Sequence, residues 1–348
     1  PLHGDNAWML ARARAEDPIA RQRILFTLDQ QAKIIDPVWG GICQYSTDSD
    51  WVHPHHEKLA AFQAGAIADY AAAYALTGDV KWLHFAQAVR GFVDKFLTSP
   101  AGGYYATMDA DLNAHEAGKP YMTGRDYHAR SDEARRALGI PRVDTHEYAR
   151  ENGLLIDAYV TLYEASADRT ALAAAGRAAD HILATHGTGA GGISHGASNP
   201  DGRVRAPERG EGSDAQHERV LYLADHAAFG FGLVRLYEAT RDRARLDSAR
   251  GVAQVMLDRL FDRARGGFYV STVDPSALGT LSARRKPFED NVMAMRLLAR
   301  LARLLPTNSY RDPIARTLAV VGSRQAVEER GRMIGDLLLA IDETRGLR

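Results

Sequence analysis

The segment Asp69–Asp111, DYAAAYALTGDVKWLHFAQAVRGFVDKFLTSPAGGYYATMDAD, decides the fold because the chain repeats it. Asp157–Pro200 reads DAYVTLYEASADRTALAAAGRAADHILATHGTGAGGISHGASNP, and Phe231–Pro275 reads FGLVRLYEATRDRARLDSARGVAQVMLDRLFDRARGGFYVSTVDP. In each, a tyrosine (Tyr74, Tyr163, Tyr237) stands five residues before an aspartate (Asp79, Asp168, Asp242). A Gly-Gly pair then begins 23, 23 and 24 residues after the aspartate, at Gly102, Gly191 and Gly266. Apolar residues at helical spacing on both sides of the aspartate make each repeat a helix, a tight turn, a second helix and a short Gly-Gly hairpin.

The pattern extends in both directions. Glu289–Val321, EDNVMAMRLLARLARLLPTNSYRDPIARTLAVV, keeps the helix–turn–helix pattern and lacks the Gly-Gly. An earlier pair, Gly40 and Gly41, follows the expected first helix RQRILFTLDQQAKII. The spacing of Ile67, Tyr70, Ala73 and Tyr74, and of Leu154, Ile156, Tyr159, Leu162 and Tyr163, makes the first helix of each pair the inner one. Helical hairpins sharing a core predict an all-α, (α/α)6 toroid, one domain of about six hairpins over residues 1–348, with strands confined to the Gly-Gly hairpins at one rim. Two long irregular passages, Asp111–Asp144 and Ser198–Val220, follow such hairpins and are expected at the same rim as lids or walls.

Composition narrows the partners. Of 348 residues, 45% are apolar, enough for one large core or two ordinary ones, and the formal net charge of −1 gives no footprint for a nucleic-acid binder. No apolar run approaches the length of a spanning helix, and the first residues lack the order of a signal peptide, so the cytoplasm is the default compartment and no membrane partner is expected. Cys43 is the only cysteine, which excludes an internal disulfide and a multi-cysteine metal site. His53, His55 and His56 are too close together to make a zinc site unaided, and GTGAGGISHG (187–196) has neither the preceding strand nor the Lys-Ser/Thr of a phosphate loop. No metal and no cofactor are expected.

Specific motifs carry a resemblance. Tyr45, Ser46, Asp48, Trp51, Pro54, His55, Glu57 and Lys58, followed by Gly102, Gly103, Tyr105, Asp109, Ala110 and Asp111, match the pattern of the DUF255 or YyaL-type, spermatogenesis-associated protein 20-like family. The resemblance implies a six-hairpin barrel similar to those of N-acylglucosamine 2-epimerases, cellobiose epimerases and six-hairpin glycosidases. It also implies a thioredoxin-like domain, which this sequence lacks, so a separate thioredoxin-like partner is a candidate. Where the family has Tyr-Asp-Asn-Ala, this chain has Ala61-Phe62-Gln63-Ala64, a substitution expected to remove a polar cavity group.

In such a barrel the inner-helix N-termini favour polar ligands at the cavity mouth. His55, His56 and Glu57 precede one inner helix, His146 and Glu147 another, and Arg150 lies one turn further in. Asp225 and His226 open a third, and Glu289, Asp290 and Asn291 a fourth. Near-neutral imidazoles suit a sugar epimerase or isomerase, in which one of His55 or His56 acts with His146 or His226 while Tyr45, Trp51, Glu57, Tyr105, Asp109, Asp111, Glu147, Arg150, Asp225 and Asp290 hold a sugar-like small molecule. Tyr269 adds an aromatic wall. Glycoside hydrolysis by Asp109 or Asp111 with a carboxylate across the cavity is the alternative, and a non-catalytic binding or scaffold module is the third. Both aspartates also suit local turn bonding, and Glu57, Lys58 and Glu147 suit helix-start duties. His195 occupies the rim position matched by Tyr105 or Ala106.

Overall fold

The computed structural model describes residues 3–48, 50–189, 191–197, 220–275, 277–306 and 309–347. Helices dominate, and the chain forms two compact units, Pro1–Glu147 with Asp157–Ala175, and Tyr148–Ile156 with Gly176–Arg348.

The first unit opens on a hairpin of α1 (His3–Arg14), absent from the sequence expectation, and α2 (Pro18–Gln31), the expected first helix. Asp17 starts α2 by accepting the N–H groups of Ile19 and Ala20, with Pro18 in the first turn where its missing N–H costs nothing. The next hairpin joins α3 (Ala60–Thr77) to α4 (Val80–Phe96) through Gly78, left-handed at φ 70°, and Asp79, which caps α4 at Lys81 N. Small residues let α3 be buried on nearly every side, through Ala60, Ala64, Ala66, Ile67, Tyr70, Ala71 and Ala73, whereas α4 buries one stripe, Trp82, Ala86, Val89, Phe92, Val93 and Phe96. The first helix is therefore the inner one, as its spacing predicts. Asn6 and His3 of α1 tie onto the buried Asp69 of α3 at 2.8 and 2.7 Å.

The third hairpin, α7 (Ala149–Ser166) and α8 (Arg169–His186), contributes segments to both units. The second unit adds α9 (Leu223–Thr240) with α10 (Arg243–Arg259), then α11 (Phe288–Leu304), α12 (Arg311–Val321), α13 (Arg324–Arg330) and α14 (Gly335–Thr344). Asp168 and Asp242 cap α8 and α10 as Asp79 caps α4. The inner helix α9 is again buried almost throughout, from Leu223 to Leu236. Val292 and Met295 of α11 pack with Val321, Leu337 and Ala340 of the last helices.

Each Gly-Gly turn closes on a single bridge, Ile35–Ile42, Thr98–Tyr104, Gly187–Ile193 and Phe261–Phe268. Gly40 has no alternative residue: its φ is 72°, and a Cβ there would lie 2.1 Å from the Ala88 carbonyl oxygen. Strands are not confined to these turns, contrary to expectation. A ribbon of β1 (Tyr45–Ser46) and β2 (Pro54–His55) and a sheet ordered β3 (Lys58–Leu59), β4 (Thr107–Met108), β5 (Val143–Asp144) lie beyond them in sequence. The passage Asp111–Asp144 is built rather than loose, holding α5 (Gly124–His128), α6 (Asp132–Leu138) and β5. Residues 198–219 of the second expected lid lie outside the described residues.

Candidate active site

The fourth residue of each inner helix has one job. Gln63 of α3 accepts the Ile42 N–H at 2.7 Å and donates to the Ile42 and Leu59 carbonyls. Asn291 of α11 does the same with Phe268 N–H (2.6 Å), the Phe268 carbonyl and the Pro287 carbonyl. His226 of α9 accepts the Ile193 N–H on Nε2 (3.2 Å) and donates from Nδ1 to the Tyr222 carbonyl (2.8 Å). Asn152 of α7 occupies the same position and donates to the Tyr148 carbonyl. All four side chains are fully buried. Gln63, His226 and Asn291 thereby bond the peptide that follows a Gly-Gly turn, satisfying buried backbone groups.

This removes His226 from the acid–base candidates. Both ring nitrogens are committed to backbone, burial lowers its pKa, and it has no exposed surface. It also corrects the reading of Ala61-Phe62-Gln63-Ala64: the amide position is kept by Gln63, and what differs is Ala61 and Phe62.

The residue before the staple turns to different work. Asp225 is fully buried, and its carboxylate accepts the Arg150 N–H at 3.1 Å and the Nδ1–H of His195 at 3.0 and 3.2 Å. His195 is stacked on Tyr148 at 4.4 Å and lies 5.5 Å from the Tyr222 ring, with 51% of its side chain exposed. The bond to Asp225 raises its pKa above the ordinary histidine value, against the opposing effect of burial. With Nδ1 held, Nε2 is the nitrogen presented to a ligand. Asp290, the equivalent of Asp225 in α11, is pushed up to about 6 by burial, with Glu289, Asp225 and Glu151 reinforcing the shift and Arg150 opposing it. Arg150 in turn pairs with Glu151 at 2.6 Å. The second unit thus gathers an imidazole, a weakly acidic carboxyl, an arginine and two tyrosine rings. Sequence reasoning included Asp225, Asp290 and Arg150 and left His195 at the rim.

The remaining predicted residues, Tyr269 apart, lie in the first unit. Glu57 and Lys58 are not first-turn residues, since α3 begins at Ala60 and Lys58 is in β3. Lys58 is fully buried and bonds Asp36 at 3.2 Å, a carboxylate that also holds Arg135 at 2.7 and 3.1 Å and accepts His128 Nδ1–H at 3.1 Å. Burial alone would raise the Asp36 pKa, but these three partners hold it far below the usual carboxylate range. His56 stacks face to face on His128 at 4.5 Å, with Cys43 Sγ 3.8 Å from its Nδ1. Burial, then His128 and Lys58, depress it to about 3, too weak a base for proton transfer near neutral pH.

His55 stacks on the exposed Tyr45 at 5.1 Å and faces Glu57 at 3.4 Å. Trp51, left-handed at φ 60°, gives its N–H to Ser46. His146 is exposed and bonded to Asp144. β3 and β5 both pair with β4, so they run parallel, and His56 before β3 and His146 after β5 leave the sheet at opposite ends. Asp111 accepts Gly124 N–H (2.6 Å) and the Tyr121 hydroxyl (2.9 Å), organising its loop, and Asp109 N–H bonds Arg142. Tyr105 and Glu147 are half-buried. Tyr269 donates to Asp262 under the Arg284 guanidinium. Asp48, Asp50 and His53 are close enough to hold an ion, yet all are exposed and Asp50 is occupied by local backbone and His53.

The fold is that of the (α/α)6 barrels. A D-mannose isomerase structure matches with a TM-score of 0.67 at 11% identity, covering 92% of this chain and 75% of that one. Cellobiose 2-epimerase from Bacillus thermoamylovorans matches at 0.65 and 10% over 92% and 74%, and a heparin-specific unsaturated glucuronyl hydrolase at 0.60 and 10% over 93% and 73%. No protein-family model matches the chain. Among curated proteins, spermatogenesis-associated protein 20 of Mus musculus is 31% identical over 154 residues, 44% of this chain and 19% of that protein. The Homo sapiens protein is 31% identical over the same length, 20% of its own. The likeness to spermatogenesis-associated protein 20 and to epimerase barrels is the one the motifs imply, and the match spans about a fifth of those curated relatives. No helix among the described residues is long and apolar enough to cross a membrane.

Proposed function

We propose that the chain is a carbohydrate-active barrel of the sugar epimerase or isomerase kind, with His195 as a proton carrier for a bound sugar. One observation carries this reading: an imidazole held by a fully buried aspartate, set against two tyrosine rings, with half of its side chain exposed. Tyrosine faces suit the apolar side of a pyranose, and Arg150 suits its hydroxyls. The bond to Asp225 favours the imidazolium, which suits His195 to act as an acid toward carbon or carbonyl oxygen. Asp225 is a positioning residue, fixing ring orientation and tautomer.

The fold neighbours support a sugar ligand, as their own names describe sugar epimerases, isomerases and glycosidases. The test is proton NMR of an aldose and disaccharide panel in D2O. Deuterium entering C2 in the wild type, and lost in His195→Asn with folding intact, supports the reading. Release of a new reducing end moves the site to glycoside hydrolysis. Binding without either change makes the chain a sugar-binding module.

A further inference from the structure

An epimerase or isomerase must also take the C2 proton that His195 does not, and the repeat itself locates the group. Asp225 and Asp290 are both third residues of their inner helices, each just ahead of its staple, His226 or Asn291. His195 and Val270 correspond too: each is the third residue past the second glycine of its turn, and each gives its carbonyl to the first N–H of an inner helix, Ala149 or Leu223. Asp225 is matched with a ring nitrogen. Asp290 is matched with the hydrocarbon of Val270, so the contact that occupies Asp225 has no counterpart.

Among the described residues nothing donates a hydrogen bond to the Asp290 carboxyl. Its charged surroundings are Arg150 and Glu151 of α7, Asp225 of α9 and its neighbour Glu289, which is paired with Arg330 of α13. Resting on the reading of His195 above, we propose that Asp290 is the catalytic base that removes the C2 proton of the open-chain sugar. The C2–H pair becomes the C1–C2 double bond as the carbonyl oxygen takes the charge. When the pair returns to C2 and the carbonyl re-forms, His195 supplies the proton at the opposite face. Asp290 ends protonated and His195 neutral, and exchange with water resets both. A carboxyl raised to about 6 is a stronger base than an ordinary aspartate and is still ionised at pH 7.

The experiment pairs the pH profile of C2 deuterium exchange with a ligand-free carbon-13 titration of the aspartate carboxyls. Exchange should rise about tenfold per unit toward pH 6, level above it, and fall again at higher pH as His195 loses its proton. A carboxyl signal titrating near 6 should vanish in Asp290→Asn, which loses about 100-fold or more in exchange while binding sugar within about threefold of wild type; Asp290→Glu should recover part of the rate. Asp290→Asn exchanging at the wild-type rate, while His195→Asn is dead, overturns this inference and leaves the function standing. The same holds if no carboxyl signal titrates near 6. A wild type that exchanges no sugar overturns both.

Discussion

Replacing His226 separates a staple from a catalyst. In His226→Ala the Ile193 N–H loses its acceptor inside a fully buried position, and the Tyr222 carbonyl loses one of its two donors. An orphaned buried donor costs about 1–3 kcal/mol, and truncating a buried ring adds a cavity penalty of about 1 kcal/mol or more. The expected loss is therefore about 2–4 kcal/mol in urea unfolding. His226→Gln should restore most of it, because Gln63 already makes the same pair of bonds in α3, accepting the N–H beyond the glycines and donating four residues back. Glutamine cannot shuttle protons at neutral pH. If His226→Gln folds like the wild type but abolishes C2 exchange, the imidazole has a chemical role and the staple argument fails. If His226→Ala unfolds within about 0.5 kcal/mol of wild type, well under the cost of an orphaned donor, the buried bond is not holding the turn.

Gly153→Ala should cost about 3 kcal/mol or more by thermal or urea unfolding, since the new Cβ meets the Ala228 and Phe229 backbone at 2.5 Å and neither can step aside; a variant as stable as the wild type would refute that close approach of α7 and α9. Asp36→Ala should cost about 3–5 kcal/mol because it strands Lys58 and Arg135 in the interior, and near-wild-type melting would show that water reaches them. Stability should also fall on acidification. His56 and His128 sit at about 3 and about 4 in the folded chain, below their ordinary 6.5, so their contribution is complete above pH 6.5 and is lost as the pH drops toward 4 and 3. Each contributes a slope of up to about 1.4 kcal/mol per pH unit in that window. The depressed Asp36 adds a loss only below the ordinary carboxylate range. Urea midpoints that do not change between pH 7.5 and 5 would contradict the histidine directions.

The hairpins were legible because their signals are local: the tyrosine–aspartate spacing, the capping aspartates and the Gly-Gly turns recur at fixed intervals, and each is sufficient for the element it specifies. The work of neighbouring residues was not. Asp225 and His226 are adjacent, and sequence alone favours the histidine as the reactive one, yet successive residues on a helix point about 100° apart. That rotation sends His226 against the Gly-Gly turn and Asp225 toward His195. Lys58 read as a helix-start residue because its partner, Asp36, lies on a different element. His195 had a usable signal: aligned on the second glycine, it replaces Gln44, Ala106 and Val270, so only one repeat carries a titratable group there.

The inner-helix starts divide their labour by position. The first N–H is bound to a hairpin carbonyl in α3, α7 and α9, and the fourth side chain is always one that can donate to the carbonyl four residues back. The third position carries no such duty, and there the chain varies freely: Phe62, Glu151, Asp225, Asp290. Chemistry can change at that position without loosening the turns; where the resembled motif has Asp-Asn this chain has Phe62-Gln63, with the amide kept and the acid absent. A phenylalanine leaves α3 with nothing to exchange a proton at its third position. The helix starts of α7, α9 and α11 carry acids there, Glu151, Asp225 and Asp290, with His195 held against Asp225.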